Sequence, residues 1–235
     1  MRYSGVYRFA EKCVRIHSLH ADVHALCRDY RDDGLPAFVV SIEPADIACE
    51  RGRSALQGSD GYLETLAVYR KIAERMPEYD TCLFHGSCVA VDDAAYLFIA
   101  ASGTGKSTHA RLWRELLGAR AVMVNDDKPL IRISGGEAVA YGTPWDGKHR
   151  LSRNIAVPLV AVCILERSAE NRIREITPSE ALPMLLQQVY RPMDAGAMEK
   201  TLGLIDDLAR CVRLYQLGCN MEIGAAVLSY NTMKE

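Results

Sequence analysis

The sequence has little net charge, no long apolar run and no closely paired cysteines. Its 235 residues include 28 Lys and Arg against 30 Asp and Glu, a formal net charge of -2. A chain without a positive field is a poor partner for nucleic acid, so we expect none. No apolar run approaches the ~20 residues of a membrane span, and the first residues lack the apolar stretch of a signal peptide. We therefore expect a cytoplasmic protein that does not bind membranes.

The cysteines lack the short spacing that zinc sites and disulfide frameworks normally show. No C-x-x-C pair occurs, and most of the eight lie inside apolar stretches. We expect reduced thiols that behave as small buried hydrophobes. They are Cys13, Cys27, Cys49, Cys82, Cys88, Cys163, Cys211 and Cys219.

One stretch in the middle of the chain has the pattern of a phosphate-binding loop. An apolar run at residues 94–99 leads into the glycine loop, residues 101–108, and a helical pattern runs from residue 108 to residue 117. A loop between a strand and a helix N-terminus directs several backbone N–H groups at one point, where they bind polyphosphate. The residues expected to hold nucleotide are Ser102, Gly103, Thr104, Gly105, Lys106, Ser107 and Thr108.

The loop matches the Walker A pattern G-x-x-x-x-G-K-[ST] except that Ala100 replaces the first glycine. The pattern predicts that Lys106 reaches the terminal phosphates and that the hydroxyl of Ser107 ligates Mg²⁺. Gly103 and Gly105, which let phosphate approach the backbone, are both present. The alternative interpretation is a Gly-rich turn that happens to contain a lysine.

Two aspartates follow the next strand along the chain. Residues 121–124 form a short apolar run, and Asn125, Asp126 and Asp127 come directly after it. A helix that leads away from the glycine loop and a strand that returns to the sheet would bring these carboxylates to the same sheet edge as Lys106. Ligands of open α/β sheets bind at this edge. Carboxylates beside phosphates serve as metal ligands, as a base, or as both. The alternative is a solvated turn.

A loop at residues 142–150 is rich in Gly, Pro and Trp and carries Lys148, His149 and Arg150. It is either a solvated turn or a lid that brings Lys148 or Arg150 to a transferring phosphate. Around it, helical patterns occur at residues 63–76, 178–188, 197–211 and 221–233. Paired strands are expected across residues 83–99 and 130–141, and a buried strand at 159–165.

Three groups of residues in order, His85-Gly86, the glycine loop and Asp126-Asp127, resemble the catalytic core of HPr kinase/phosphorylase. The resemblance covers roughly residues 80 to 220. The glycine loop is also similar to that of phosphoenolpyruvate carboxykinase, which shares this fold. The chain most resembles small HPr-kinase-like proteins found beside peptide-modification genes, some of which phosphorylate a peptide serine. We recognise no second family signature near the C-terminus, so the resemblance does not extend to phosphorolysis or to HPr as acceptor.

The resemblance implies an α/β fold class with a mixed, strongly twisted sheet. Residues 80–235 would form the P-loop kinase core, and residues 1–79 a small N-terminal α+β extension unlike that family's regulatory domain. It also implies ATP, or another NTP, with Mg²⁺, and phosphate transfer to a hydroxyl. The acceptor could be a peptide, a protein or a small molecule, and the family resemblance is compatible with self-association.

The same resemblance assigns roles to individual residues. Lys106 matches the loop lysine, and Ser107 the metal-binding hydroxyl. The aspartate pair matches the carboxylates that position the metal and accept the proton of the acceptor, and His85 matches the histidine that supports the base. Within the pair we assign Asp126 as the base and Asp127 as the metal ligand, although the two roles are exchangeable. From the loop at residues 142–150, Lys148 or Arg150 would supply a further cation.

Two alternatives to a kinase remain open at this point. One is a carboxykinase-like or NTP-hydrolysing enzyme. The other is a nucleotide-binding regulatory or peptide-recognition module, with residues 1–79 as its partner surface. The carboxylate pair favours an enzyme, because binding alone would not need a base.

Overall fold

The computed structural model describes residues 3–53 and 58–234 of the chain. The chain divides into two compact units, Met1–Met76 and Pro77–Glu235. The boundary expected from the sequence lay between residues 79 and 80. Within the described ranges, no helix is both long and apolar enough to cross a membrane.

In its described residues, the first unit combines a small sheet with three α-helices. Strands β1 and β2 pair antiparallel, and β2 and β3 pair parallel, in the order β1-β2-β3. The elements are β1 (Tyr3–Phe9), β2 (Lys12–Ser18), α1 (Asp22–Leu26), β3 (Phe38–Ser41), α2 (Pro44–Arg53) and α3 (Asp60–Arg75).

Helix α3 confirms the helix predicted at residues 63–76. It begins earlier because the side chain of Ser59 accepts a hydrogen bond from the N–H of Tyr62 and so caps the first turn. Helix α2 was not expected from the sequence. It buries only Ile47 and Glu50, so it has no apolar stripe that a periodicity search could detect.

The second unit is a mixed sheet with four further helices. The expected α/β class with a mixed sheet is therefore observed. The strands are β4 (Thr81–Leu83), β5 (Ser87–Val91), β6 (Ala94–Ile99), β7 (Ala121–Asn125), β8 (Leu130–Ser134), β9 (Glu137–Tyr141), β10 (Ala156–Arg167), β11 (Arg172–Glu175) and β12 (Arg213–Cys219). The helices are α4 (Lys106–Leu117), α5 (Pro178–Gln188), α6 (Ala195–Cys211) and α7 (Ile223–Met233).

The strand order is β4-β8-β9-β10-β6-β5-β7, with β12 also beside β10 and β11 beside β12. Strand β10 runs parallel to β6 and to β12, and the other pairs are antiparallel. Both predicted hairpins, β5 with β6 and β8 with β9, are present. Four-residue β11 was not expected, because it buries no side chain fully.

Strand direction brings the carboxyl ends of β6 and β7 to one edge. Strand β5 is antiparallel to both β6 and β7, so those two strands run in the same direction. The glycine loop follows β6 and the aspartate pair follows β7. The sheet thereby places both groups at one edge, as the sequence predicted.

Helices cover both faces of the sheet around β5 and β6. Residues such as Cys88, Leu97 and Ile99 join a cluster with residues of α5 and α6. The alternating residues Val89 and Phe98 join a second cluster with residues of α4 and α7. Burial of both faces explains why these strands are apolar at nearly every position instead of alternating with polar residues.

Helix α4 is fixed to the sheet and to α7 through buried polar contacts. The indole N–H of Trp113 donates to Ser229 Oγ at 2.8 Å, and His109 Nε2 lies 3.0 Å from the same oxygen. Trp113 also packs edge-on against Phe98 of β6. These contacts hold the helix whose first turn carries Lys106 and Ser107.

Candidate functional site

The glycine loop turns directly from β6 into α4. Gly103 has φ 77° and Gly105 φ 122°, backbone conformations that residues with a side chain rarely adopt. A Cβ at Gly103 would meet no atom within 4 Å, so the space above this residue is open. Helix α4 begins at Lys106, two residues before the predicted start, which places Lys106 and Ser107 in its first turn. The first N–H groups of a helix have no partner within it and are available to an anion.

Lys106 is a buried cation beside this loop. It is 8% exposed, and its Nζ donates to the carbonyl oxygen of Ala100 at 3.1 Å. Burial lowers the pKa of Lys106, whereas the charges of Asp127 and Asp126 raise it. The ammonium group therefore lies in the electrostatic field of both carboxylates.

Asp126, at the end of β7, lines the same cavity as Ser107 of the glycine loop. Its Oδ1 accepts a hydrogen bond of 2.7 Å from Ser87 Oγ. Burial raises the pKa of Asp126, and the side chains of Ser87 and Ser107 oppose that rise. The carboxylate thus shares its cavity with the hydroxyl that the sequence assigned to a metal ion.

Asp127 is more exposed and has different partners. Its Oδ1 accepts from Lys128 Nζ at 2.9 Å and lies 3.5 Å from His85 Nε2. The Asp127 side chain is 36% exposed. Because both contacts fall on Oδ1, the second carboxylate oxygen stays available for a ligand.

His85 lies in the segment between β4 and β5 and is held by its neighbours. Its backbone N–H donates to the backbone carbonyl oxygen of Gln188 at 2.8 Å. Burial and the charges of Lys128 and Lys106 lower the pKa of His85 to about 4, although Asp127 and Gln188 raise it. The imidazole is therefore neutral at neutral pH.

Buried Asn125 sets the geometry of the two aspartates. Its Oδ1 accepts from the N–H groups of Asp127 at 2.8 Å and Lys128 at 2.5 Å. Its Nδ2 donates to the Thr143 carbonyl at 3.0 Å, and Thr143 Oγ1 donates back to the Lys128 carbonyl at 2.8 Å. A single amide thus ties the aspartate turn to the start of the loop at residues 142–150.

These groups line a cavity of about 490 Å³. It brings together most of the residues predicted from the sequence, but neither Thr104 nor Arg150 is among those lining it. The lining residues are His85, Ser102, Gly103, Gly105, Lys106, Ser107, Thr108, Asp126, Asp127, Asp146, Gly147 and Lys148.

The loop at residues 142–150 contacts the cavity through Asp146, Gly147 and Lys148. A Cβ at Gly147 would lie 2.7 Å from Asp126 Oδ2, so only glycine leaves that carboxylate in place. Asp146 Oδ2 accepts from the Ser152 N–H at 3.2 Å, which closes the loop on itself.

Several residues of the site were not singled out by the sequence. Asn125 had a detectable signal, because an Asn directly before two further polar residues favours an Asx turn. Ser87 and Gln188 had none, since each meets the site only through strand pairing and helix packing distant in sequence. Arg167 was also missed, although its Nη2 donates to the Gly103 carbonyl at 2.5 Å.

Comparison with known proteins adds only a distant similarity. No protein-family model matches the sequence. No curated protein matches it either. Among solved structures, the HPr(Ser) kinase/phosphatase from Coxiella burnetii has a TM-score of 0.37 and is 8% identical, covering 65% of this chain and 99% of that chain. The residues of the site, and not this similarity, support the function proposed below.

The contacts of Asn125 predict a measurable effect on stability. Asn125→Ala would leave the N–H groups of Asp127 and Lys128 without their acceptor and remove the tie to Thr143. We expect the free energy of unfolding to fall by about 2–3 kcal/mol, measured by denaturant titration. Exposed Asn231 on α7 provides the control, and Asn231→Ala should change stability by less than about 0.5 kcal/mol. Equal effects of the two substitutions would contradict the role given to Asn125.

Proposed function

We propose that this protein is a kinase that transfers the γ-phosphate of ATP to a hydroxyl group, with Mg²⁺ as cofactor. The observation that carries the proposal is the placement of Ser107 of the glycine loop and Asp126 at the end of β7 in the lining of one cavity. It joins a phosphate-binding pattern to a carboxylate pair in a single site. The buried cation of Lys106 lies in the same cavity.

The donor set around Ser107 suits Mg²⁺. Within residues 3–53 and 58–234, no group of three or more His, Cys, Asp or Glu side chains is arranged to hold a metal ion. Mg²⁺ in phosphoryl-transfer sites needs only one or two carboxylates, because substrate phosphates and water complete its shell. The Ser107 hydroxyl and the Asp126 carboxylate would hold Mg²⁺, which would neutralise charge on the phosphates.

The contacts favour an exchange of the two aspartate roles first assigned. Asp126 is 8% exposed and already accepts a hydrogen bond from Ser87, whereas Asp127 is more exposed and lies beside His85. Asp127 is therefore the better acceptor for a substrate proton, and Asp126 the better metal ligand. Lys128 and neutral His85 would hold the Asp127 carboxylate in position through its Oδ1.

The reaction would need little covalent chemistry from the protein. The acceptor oxygen attacks the γ-phosphorus while the bond from that phosphorus to the bridging oxygen breaks, so ADP leaves. Asp127 takes the proton of the hydroxyl late in this step, when bond formation has lowered the hydroxyl pKa. The transition state spreads negative charge over the equatorial oxygens, which Lys106 and Lys148 stabilise.

The first test is to follow the label from γ-labelled ATP and Mg²⁺, alone and with small-molecule, peptide and protein acceptors. We expect label on a hydroxyl acceptor, reduced at least about a hundredfold by Lys106→Ala because a charge on the transferring phosphate would lose its partner. Exposed Lys200 on α6 is the matched control, and Lys200→Ala should keep the wild-type rate. Label released only as inorganic phosphate would favour an NTP hydrolase, and bound ATP without transfer or hydrolysis would favour a regulatory module.

A second test separates the base from the metal ligand. Asp127→Asn should lower the transfer rate by at least about a hundredfold while ATP affinity stays within about tenfold, since the variant loses only the proton acceptor. Asp126→Asn should instead raise the Mg²⁺ concentration needed for half-maximal rate. Exposed Asp207 on α6 gives the control substitution, Asp207→Asn. Parallel loss of rate and ATP affinity in Asp127→Asn would contradict the base assignment.

A further inference from the structure

A short stretch at the rim of the cavity carries uncompensated positive charge. We call residues 148–153 the cationic segment; it contains Lys148, His149, Arg150 and Arg153 and no acidic residue. All four basic side chains are exposed. Three full positive charges within six residues stand out in a chain whose formal net charge is -2.

Other cations at this edge of the sheet already have partners. Lys106 donates to the Ala100 carbonyl, Lys128 pairs with Asp127, and Arg167 donates to the Gly103 carbonyl. In the part of the chain that the structure describes, the charged groups of Lys148, Arg150 and Arg153 make no ion pair and no hydrogen bond. Their charges are therefore free to meet a ligand.

The backbone of the cationic segment is nevertheless held in place. Arg150 N–H donates to the Gly147 carbonyl at 3.1 Å, and Arg153 N–H donates to the Val124 carbonyl of β7 at 3.4 Å. Arg150 has φ 48°, an unusual conformation for a residue with a side chain, and such strain recurs at binding sites. The segment thus presents its cations from a fixed position beside the aspartate turn.

The cations are divided between the inside and the outside of the cavity. Lys148 lines it, whereas Arg150 and Arg153 do not. A nucleotide's phosphates at the glycine loop would account for Lys106 and Lys148, but not for charges that continue outward along six residues. A second substrate that extends from the cavity over the segment would account for them.

From these observations we infer that the cationic segment binds an acidic peptide that carries the acceptor hydroxyl. Arg150 and Arg153 would pair with carboxylates flanking the acceptor residue, because guanidinium groups match carboxylates in a bidentate geometry. The acceptor hydroxyl would then reach Asp127 inside the cavity. This inference rests on the proposed kinase activity and names the class of its acceptor.

The test uses three fluorescently labelled peptides with one central serine, flanked by glutamates, by glutamines or by lysines. Binding to the full chain is measured by anisotropy with a non-hydrolysable ATP analogue and Mg²⁺ present, and transfer is measured with ATP. We expect the glutamate peptide to bind about tenfold more tightly than the glutamine peptide, with the difference shrinking as salt is added. We also expect it to be the better phosphate acceptor.

Two double variants test whether the preference for the glutamate peptide depends on the cationic segment. The double substitution Arg150→Gln and Arg153→Gln should abolish the preference for glutamate while leaving the affinity for the ATP analogue unchanged. The control is the double substitution Lys200→Gln and Arg210→Gln at exposed positions of α6. It also removes two positive charges and should keep the preference for the glutamate peptide.

Three results would overturn the inference. One is equal or absent binding of the glutamate and glutamine peptides, and another is an equal loss of ATP-analogue affinity in the Arg150 and Arg153 variant. The third is displacement of the glutamate peptide by a short single-stranded oligonucleotide at lower concentration than by the unlabelled peptide. A preference for the glutamate peptide without phosphate transfer would support the peptide-binding surface and contradict the proposed kinase activity. Transfer without that preference would contradict only the peptide-binding surface.

Discussion

The direction of strands β6 and β7 is the constraint on which the site depends. Because β5 pairs antiparallel with both, their carboxyl ends meet at one edge of the sheet. The glycine loop and the aspartate turn then line one cavity, to which Ser107 and Asp126 both contribute. Helices α4 and α7 on one face and α5 and α6 on the other bury these strands.

Charge at this edge is balanced within a partly buried space. Burial favours the neutral form of both side chains: it lowers the pKa of Lys106 and raises the pKa of Asp126. Each group offsets this through hydrogen bonds and through the opposite charges nearby. Negative phosphates brought into the cavity would meet buried Lys106 where water screens charges less than at an open surface.

Sequence periodicity and motif spacing predicted the parts of the site that lie close together along the chain. The glycine loop, the aspartate turn and the neighbouring strands were recognisable because each is a continuous segment with turn residues or an apolar run. The residues that hold these segments in place were not recognisable from the sequence. Ser87 and Gln188 meet the site through pairings between distant segments, and Arg167 reaches Gly103 from the end of β10. The sequence predicted that Lys148 or Arg150 would reach the phosphates; Lys148 lines the cavity, whereas Arg150, at φ 48°, is not among the lining residues.

The most direct measurement of the central claim is a crystal structure of the protein with Mg²⁺ and a non-hydrolysable ATP analogue. The account predicts the phosphates against the N–H groups of the glycine loop, the γ-phosphate beside Lys106, and the metal ion between Ser107 and Asp126. Asp127 should face the γ-phosphate without ligating the metal. Phosphates bound elsewhere, or a metal ion held by neither Ser107 nor Asp126, would contradict the account.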